Sequence, residues 1–178
     1  MRRLKTQFML TAVVAGLLAT GSSCRQTRTT TDDAGRLPLL SVIRVAQPRA
    51  EAQLLEGFWQ VENNSWRWTK HDFAVVLMPP IGAAQKGATL DFRFALTPGL
   101  IERQKAVTIA ASVGGVTLPP DTYRQAGSCA YVREVPAAAF AAGGPVRVAF
   151  SADKYFAAGE IEGRELAVIA SSIGLVSK

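Results

Sequence analysis

From residue 37 to the carboxyl terminus, short apolar segments alternate with proline, glycine and asparagine, and none is long enough for a substantial helix. Ala88 to Leu96 (ATLDFRFAL) shows the pattern most cleanly. Leu90, Phe92 and Phe94 share one side and Asp91 and Arg93 the other, which is the period-two signature of a half-buried strand. Further strand candidates are Leu37 to Ala46, Ala52 to Val61, Ser65 to Thr69 and Phe73 to Met78. Lys105 to Val113 ends at Gly114-Gly115, a hairpin turn leading into Val116 to Leu118, and Ala130 to Val135, Val146 to Ser151 and Glu165 to Val176 complete the series. Two short helices are expected, Pro98 to Gln104 and Pro136 to Ala142, each with a proline in its first turn. The expected fold over 37–178 is all-β, a single jelly-roll-like antiparallel β-sandwich.

The chain has 178 residues, 48% of them hydrophobic and 19% charged, which excludes a disordered protein and fills one sizeable core. Two cysteines and one histidine exclude a disulfide scaffold and a Cys/His zinc site. Three of the 20 basic residues, Arg2, Arg3 and Lys5, fall in the first 23 positions. The 17 that remain, against 14 acidic residues, are dispersed, unlike the basic stripe of a nucleic-acid binder.

Those first 23 positions have the layout of an export signal: a basic start, an apolar run from Phe8 to Thr20, then Gly21-Ser22-Ser23. As a helix the run is ~20 Å long, short of a stable membrane span. The small residues before Cys24 resemble the cleavage box of bacterial lipoproteins, although Gly21 stands where a leucine-like residue is usual. That resemblance implies a lipid on Cys24 and, with no aspartate following, the outer membrane; a periplasmic or secreted protein is the alternative. If Cys24 is acylated, Cys129 is expected as a small buried residue; if it is retained bare, a Cys24–Cys129 disulfide is open. Residues 24–36 are polar and read as a flexible tether.

Two stretches carry a second resemblance: Gly57-Phe58-Trp59 followed by Asn63-Asn64-Ser65-Trp66-Arg67-Trp68-Thr69, and Gly163-Arg164-Glu165-Leu166-Ala167-Val168. Together they are similar to a group of poorly characterised bacterial β-sandwich domains, found as exported lipoproteins and appended to cell-surface glycosyltransferases. Here Glu162 replaces the aspartate of that pattern and Ala167 a glycine. The resemblance implies a jelly-roll-like sandwich and, by analogy, carbohydrate binding, and it brings no catalytic residues.

Trp59, Trp66 and Trp68 crowd together with Asn63, Asn64 and Arg67. Two readings follow. Either the indoles form a platform for a glycan, with Trp59, Asn63, Asn64 and Arg67 as the binding residues, or Trp66 and Trp68 share the core face. The second reading is preferred for Trp66 and Trp68. Arg67 then lies on the outer face, or, if this edge is covered, pairs with Glu162, Glu165 or Asp72. A structural ion-pair set of Arg67, Arg164, Glu162 and Glu165 is the preferred role for the arginines. His71-Asp72 joins the lone histidine to a carboxylate without a nucleophile or a G-x-S-x-G elbow, so no catalytic site is assigned. No metal or cofactor is expected; the carboxylates of Gly159 to Glu162 do not complete a calcium pattern. The expected function is non-enzymatic: an envelope lipoprotein held to the membrane by its lipid, binding glycan or cell-wall polysaccharide. The alternative is an accessory domain docking onto an envelope protein.

Overall fold

A computed structural model describes residues 38–178. The expected signal segment 1–23, the lipidation site Cys24 and the tether 24–36 lie outside the described residues. Nine strands form: β1 (Val42–Arg44), β2 (Leu54–Glu62), β3 (Trp66–Leu77), β4 (Ala88–Leu96), β5 (Val107–Val113), β6 (Val116–Tyr123), β7 (Gly127–Val135), β8 (Val146–Ala152) and β9 (Ile169–Ser177). Every pairing between them is antiparallel, and the fold is all-β.

The strand order is β6-β5-β8-β3-β9-β4-β7, with β1 on β9 and β2 on β3. β3 joins the two layers. Its second half, Asp72 to Leu77, pairs with β8, while Arg67 and Trp68 pair with Ala170 and Ile169 of β9. The layers meet through tilted and edge-to-face aromatics. Phe92 of β4 lies 5.5 Å from Phe73 of β3 and 4.8 Å from Phe150 of β8, and Tyr131 of β7 lies 6.4 Å from Phe150. Each is at most 3% exposed, and burying one such ring contributes about 1.5–3 kcal/mol.

Two helices, α1 (Ala83–Lys86) and α2 (Pro98–Gln104), lie in the connections. α2 has the expected bounds: Pro98 opens it, and Thr97 Oγ1 accepts from Leu100 N at 3.4 Å as its cap. The second expected helix is a single 3-10 turn, Ala137–Phe140. Within the described part of the first expected strand, residues 38–46, only the three residues of β1 are extended in a ladder, and the strand expected from Glu165 begins at Ile169.

One difference controls the rest. The separate candidates Ser65 to Thr69 and Phe73 to Met78 are one continuous strand, β3, running through His71 and Asp72. Phe73, Val75 and Leu77 face the core, so period-two geometry turns Arg67 and Thr69 inward and Trp66 and Trp68 outward. The preferred core placement therefore holds only in part: Trp68 is half-buried against the margin of the core and Trp66 half-buried outside it, while the outer-face placement of Arg67 is overturned.

Candidate functional site

The β2–β3 hairpin carries most of the residues singled out from the sequence. Its tip is Asn63-Asn64, with φ of 50° and 52°, and Ser65 N donates to Glu62 O at 3.1 Å. Asparagine tolerates this left-handed backbone better than other non-glycine residues, so the turn itself accounts for both. Their side chains are exposed. Behind the tip, Trp66 and Trp68 are half-buried on the outer face, edge to face with centroids 6.2 Å apart.

Trp59 is half-buried and fastened. Its indole Nε1 donates to Glu165 O at 2.7 Å. Two cations approach its ring: Lys70 Nζ at 5.2 Å from the centroid and Arg164 Cζ at 5.7 Å. Arg164 donates to Glu62 Oε1 at 2.8 Å and to Glu162, so one guanidinium spans two carboxylates and an indole. The charged residues of the second sequence stretch therefore sit against the tryptophan of the first.

Arg67 is removed from any solvent-facing set. It is 5% exposed, with Nε donating to Val45 O at 2.7 Å, Nη1 to Trp59 O at 3.0 Å and Nη2 to Glu51 Oε2 at 2.5 Å. Its carboxylate is Glu51, in the 3-10 turn Pro48–Gln53, rather than Glu162, Glu165 or Asp72. A buried guanidinium needs such saturation, because each unpaired donor would bear the full cost of leaving water. No sequence pattern marks Glu51; it comes close only because the turn carries it under the hairpin.

Glu165 pairs with His71 instead. Its Oε1 lies 2.7 Å from His71 Nδ1 and accepts the His71 backbone N–H at 2.6 Å. Partial burial would push the Glu165 carboxyl up, but the two His71 hydrogen bonds and the nearby His71 and Lys70 charges outweigh it, holding it below the usual glutamate value. On the other side His71 Nε2 lies 3.3 Å from Asp72 Oδ2, and the ring stacks on Tyr155 at 4.6 Å. Neighbours along a strand normally point to opposite faces, yet here the His71 ring turns back to the Asp72 carboxylate. The histidine's hydrogen-bonding neighbours are carboxylates, an arrangement that holds a ring in place and supplies no nucleophile.

The carboxylates of the loop before β9 are engaged too. Glu160 accepts from Arg103 at 2.6 Å and caps Ala157 N at 2.8 Å, and Glu162 holds Arg164. Among the described residues, no group of three or more His, Cys, Asp or Glu is placed to hold a metal. Cys129 is half-buried on β7, where burial pushes its thiol up; its partnership with Cys24 lies outside the described residues.

No family model matches the sequence, and no curated protein matches it. Solved structures similar to it include the CBM36-1 domain of a multidomain xylanase from the hindgut metagenome of Trinervitermes trinervoides. That match is 12% identical, covers 75% of this chain and 94% of that one, and has a TM-score of 0.40. CBM51-2 of Clostridium perfringens ZmpB, in a structure with GlcNAc and INT domains, is 12% identical over 79% of this chain and 29% of that one, TM-score 0.36. An exo-β-1,3-galactanase from Phanerochaete chrysosporium is 11% identical over 78% and 29%, TM-score 0.36.

Proposed function

We propose that this chain is a non-catalytic glycan-binding module of a bacterial cell envelope. The observation that carries the reading is the outward orientation of Trp66 and Trp68. Both lie on the side of β3 away from Phe73, Val75 and Leu77, and although Trp68 also packs against the margin of the core, each indole keeps part of its surface open to solvent. The C–H face of a sugar ring covers an indole well, and the exposed Asn63 and Asn64 at the adjoining tip offer amides to its hydroxyls. In this reading residues 1–23 export the chain and Cys24 carries a lipid that holds it at the outer membrane. The basic start, the short apolar run and the small residues before Cys24 support that part.

The test is a printed glycan array probed with the purified chain and with Trp66→Ala and Trp68→Ala. At least a tenfold loss of binding in either variant, at unchanged thermal unfolding, is expected. Absence of binding by the folded parent chain would overturn it. Incorporation of labelled palmitate, lost in Cys24→Ala, tests the anchor separately. A second reading, docking onto an envelope protein, draws on the opposite layer. There Val42, Val132 and Val176 are 48%, 42% and 40% exposed on the outer face of β1, β7 and β9.

A further inference from the structure

The outer face of the β2-β3-β8-β5-β6 layer carries a shallow cavity of about 390 Å³, away from the tryptophan pair. We infer that this trough binds a neutral, linear glycan chain lying across the strands, as an extension of the tryptophan site; the inference rests on the glycan reading above.

The strand register builds the trough. One cross-strand row runs Glu56, Ala74, Ala149, Ser112, Thr117, and the next runs Asp72, Ser151, Ala110. A solvent-facing sheet surface ordinarily carries long polar side chains. Here Ala149 and Ser112 of the first row and Ser151 and Ala110 of the second are small and line the cavity, so the floor drops almost to the backbone. Glu56 and Asp72 wall its β2–β3 end, and Arg147 beside the first row is ion-paired with Glu56. Five strands at ~4.8 Å spacing make the trough roughly 19 Å wide, room for several sugar rings end to end. Asp72 lies four residues from Trp68 along β3, so at most ~13 Å separates their backbone positions. One chain can cover both.

The chemistry selects the ligand. Two carboxylates stand against one guanidinium, and Asp72 is 66% exposed, with Oδ2 3.3 Å from His71 Nε2. Such a surface accepts hydroxyl hydrogen bonds and repels uronates, sulfates and phosphates. The hydroxyls of Ser112 and Ser151 on the floor add donors as well as further acceptors. An extended peptide is disfavoured because strand addition needs a free sheet edge, whereas β8 and β5 are paired on both sides.

The test uses the full chain, Ala149→Phe, which fills the floor, and Asp72→Asn, which keeps its shape. The probes are cello-, xylo-, manno- and galacto-oligosaccharides from disaccharide to hexasaccharide, with oligogalacturonides as acidic counterparts. The expected result is binding confined to neutral probes, tightening with length, and weakened at least tenfold for the longest probes in Ala149→Phe. Asp72→Asn should weaken them severalfold while unfolding at the parent temperature. Length-independent binding unaffected by both variants, but lost in Trp66→Ala, would overturn the trough and leave the tryptophan site standing. Preference for the acidic probes would also overturn it. No binding to any probe would overturn both.

Discussion

The indole N–H of Trp59 donates to the main-chain carbonyl of Glu165 at 2.7 Å, joining residues that stand 106 positions apart. The two stretches that stand out in the sequence are thereby brought together, with Arg164 laid over the Trp59 ring. Trp59→Phe keeps a smaller aromatic ring and removes the donor. It should cost about 1 kcal/mol, the usual worth of one hydrogen bond, in urea unfolding.

Arg67 ties β3 to β2, to the segment after β1 and to the turn bearing Glu51. Arg67→Ala leaves the Val45 and Trp59 carbonyls unpaired and should destabilise the fold by about 3 kcal/mol. Glu51→Gln should cost less than ~1 kcal/mol, because the Glu51 side chain is 65% exposed and its site rehydrates. Equal losses in the two variants would contradict this account.

Gly57 sits at φ +77°, where an added Cβ would lie 2.1 Å from Asp72 O. Backbone strain and a main-chain clash act together, so Gly57→Ala should lose upwards of ~3 kcal/mol. Soluble yield and the urea midpoint report it directly.

The depressed pKa of Glu165 links stability to pH. In the folded chain the carboxylate keeps its charge to lower pH than in the unfolded chain. Its contribution is therefore complete above the ordinary glutamate value near 4.3 and disappears as pH falls through the lower folded value. Replacing the ring in His71→Ala should flatten the fall in melting temperature over that acid window, leaving the backbone N–H bond as residual coupling.

Legibility followed the range of the interactions. β4 and α2 were found to the residue, because alternation, Pro98 and the Thr97 cap are all local signals. The inward turn of Arg67 was not. His71 and Asp72 look like a break between two strands, yet they lie within one, and the parity fixed by Phe73, Val75 and Leu77 passes straight through them. Read in that register, the hydrophobic run alone would have turned Trp66 and Trp68 to the face opposite Phe73, Val75 and Leu77. Glu51 and the trough could not be read so. One depends on a turn packing beneath a distant hairpin, and the other on rows drawn from five strands. The buried Gln53, which bonds Leu40 N, Leu40 O and Val76 O, is hidden for the same reason.

The path of the sheet ends at β6 and β7, and these two edges meet without a ladder. Pro119 and Pro120 have no N–H to offer, and their carbonyls are taken by Tyr131 Oη at 2.8 Å and by Arg133 at 3.0 and 3.1 Å. Tyr123 Oη closes the seam from the other side on Ala130 O at 2.9 Å. Side chains thus zip where backbone would otherwise have to. A foreign strand approaching this margin finds its acceptors occupied, so many copies can crowd together without this seam recruiting a neighbour into its sheet.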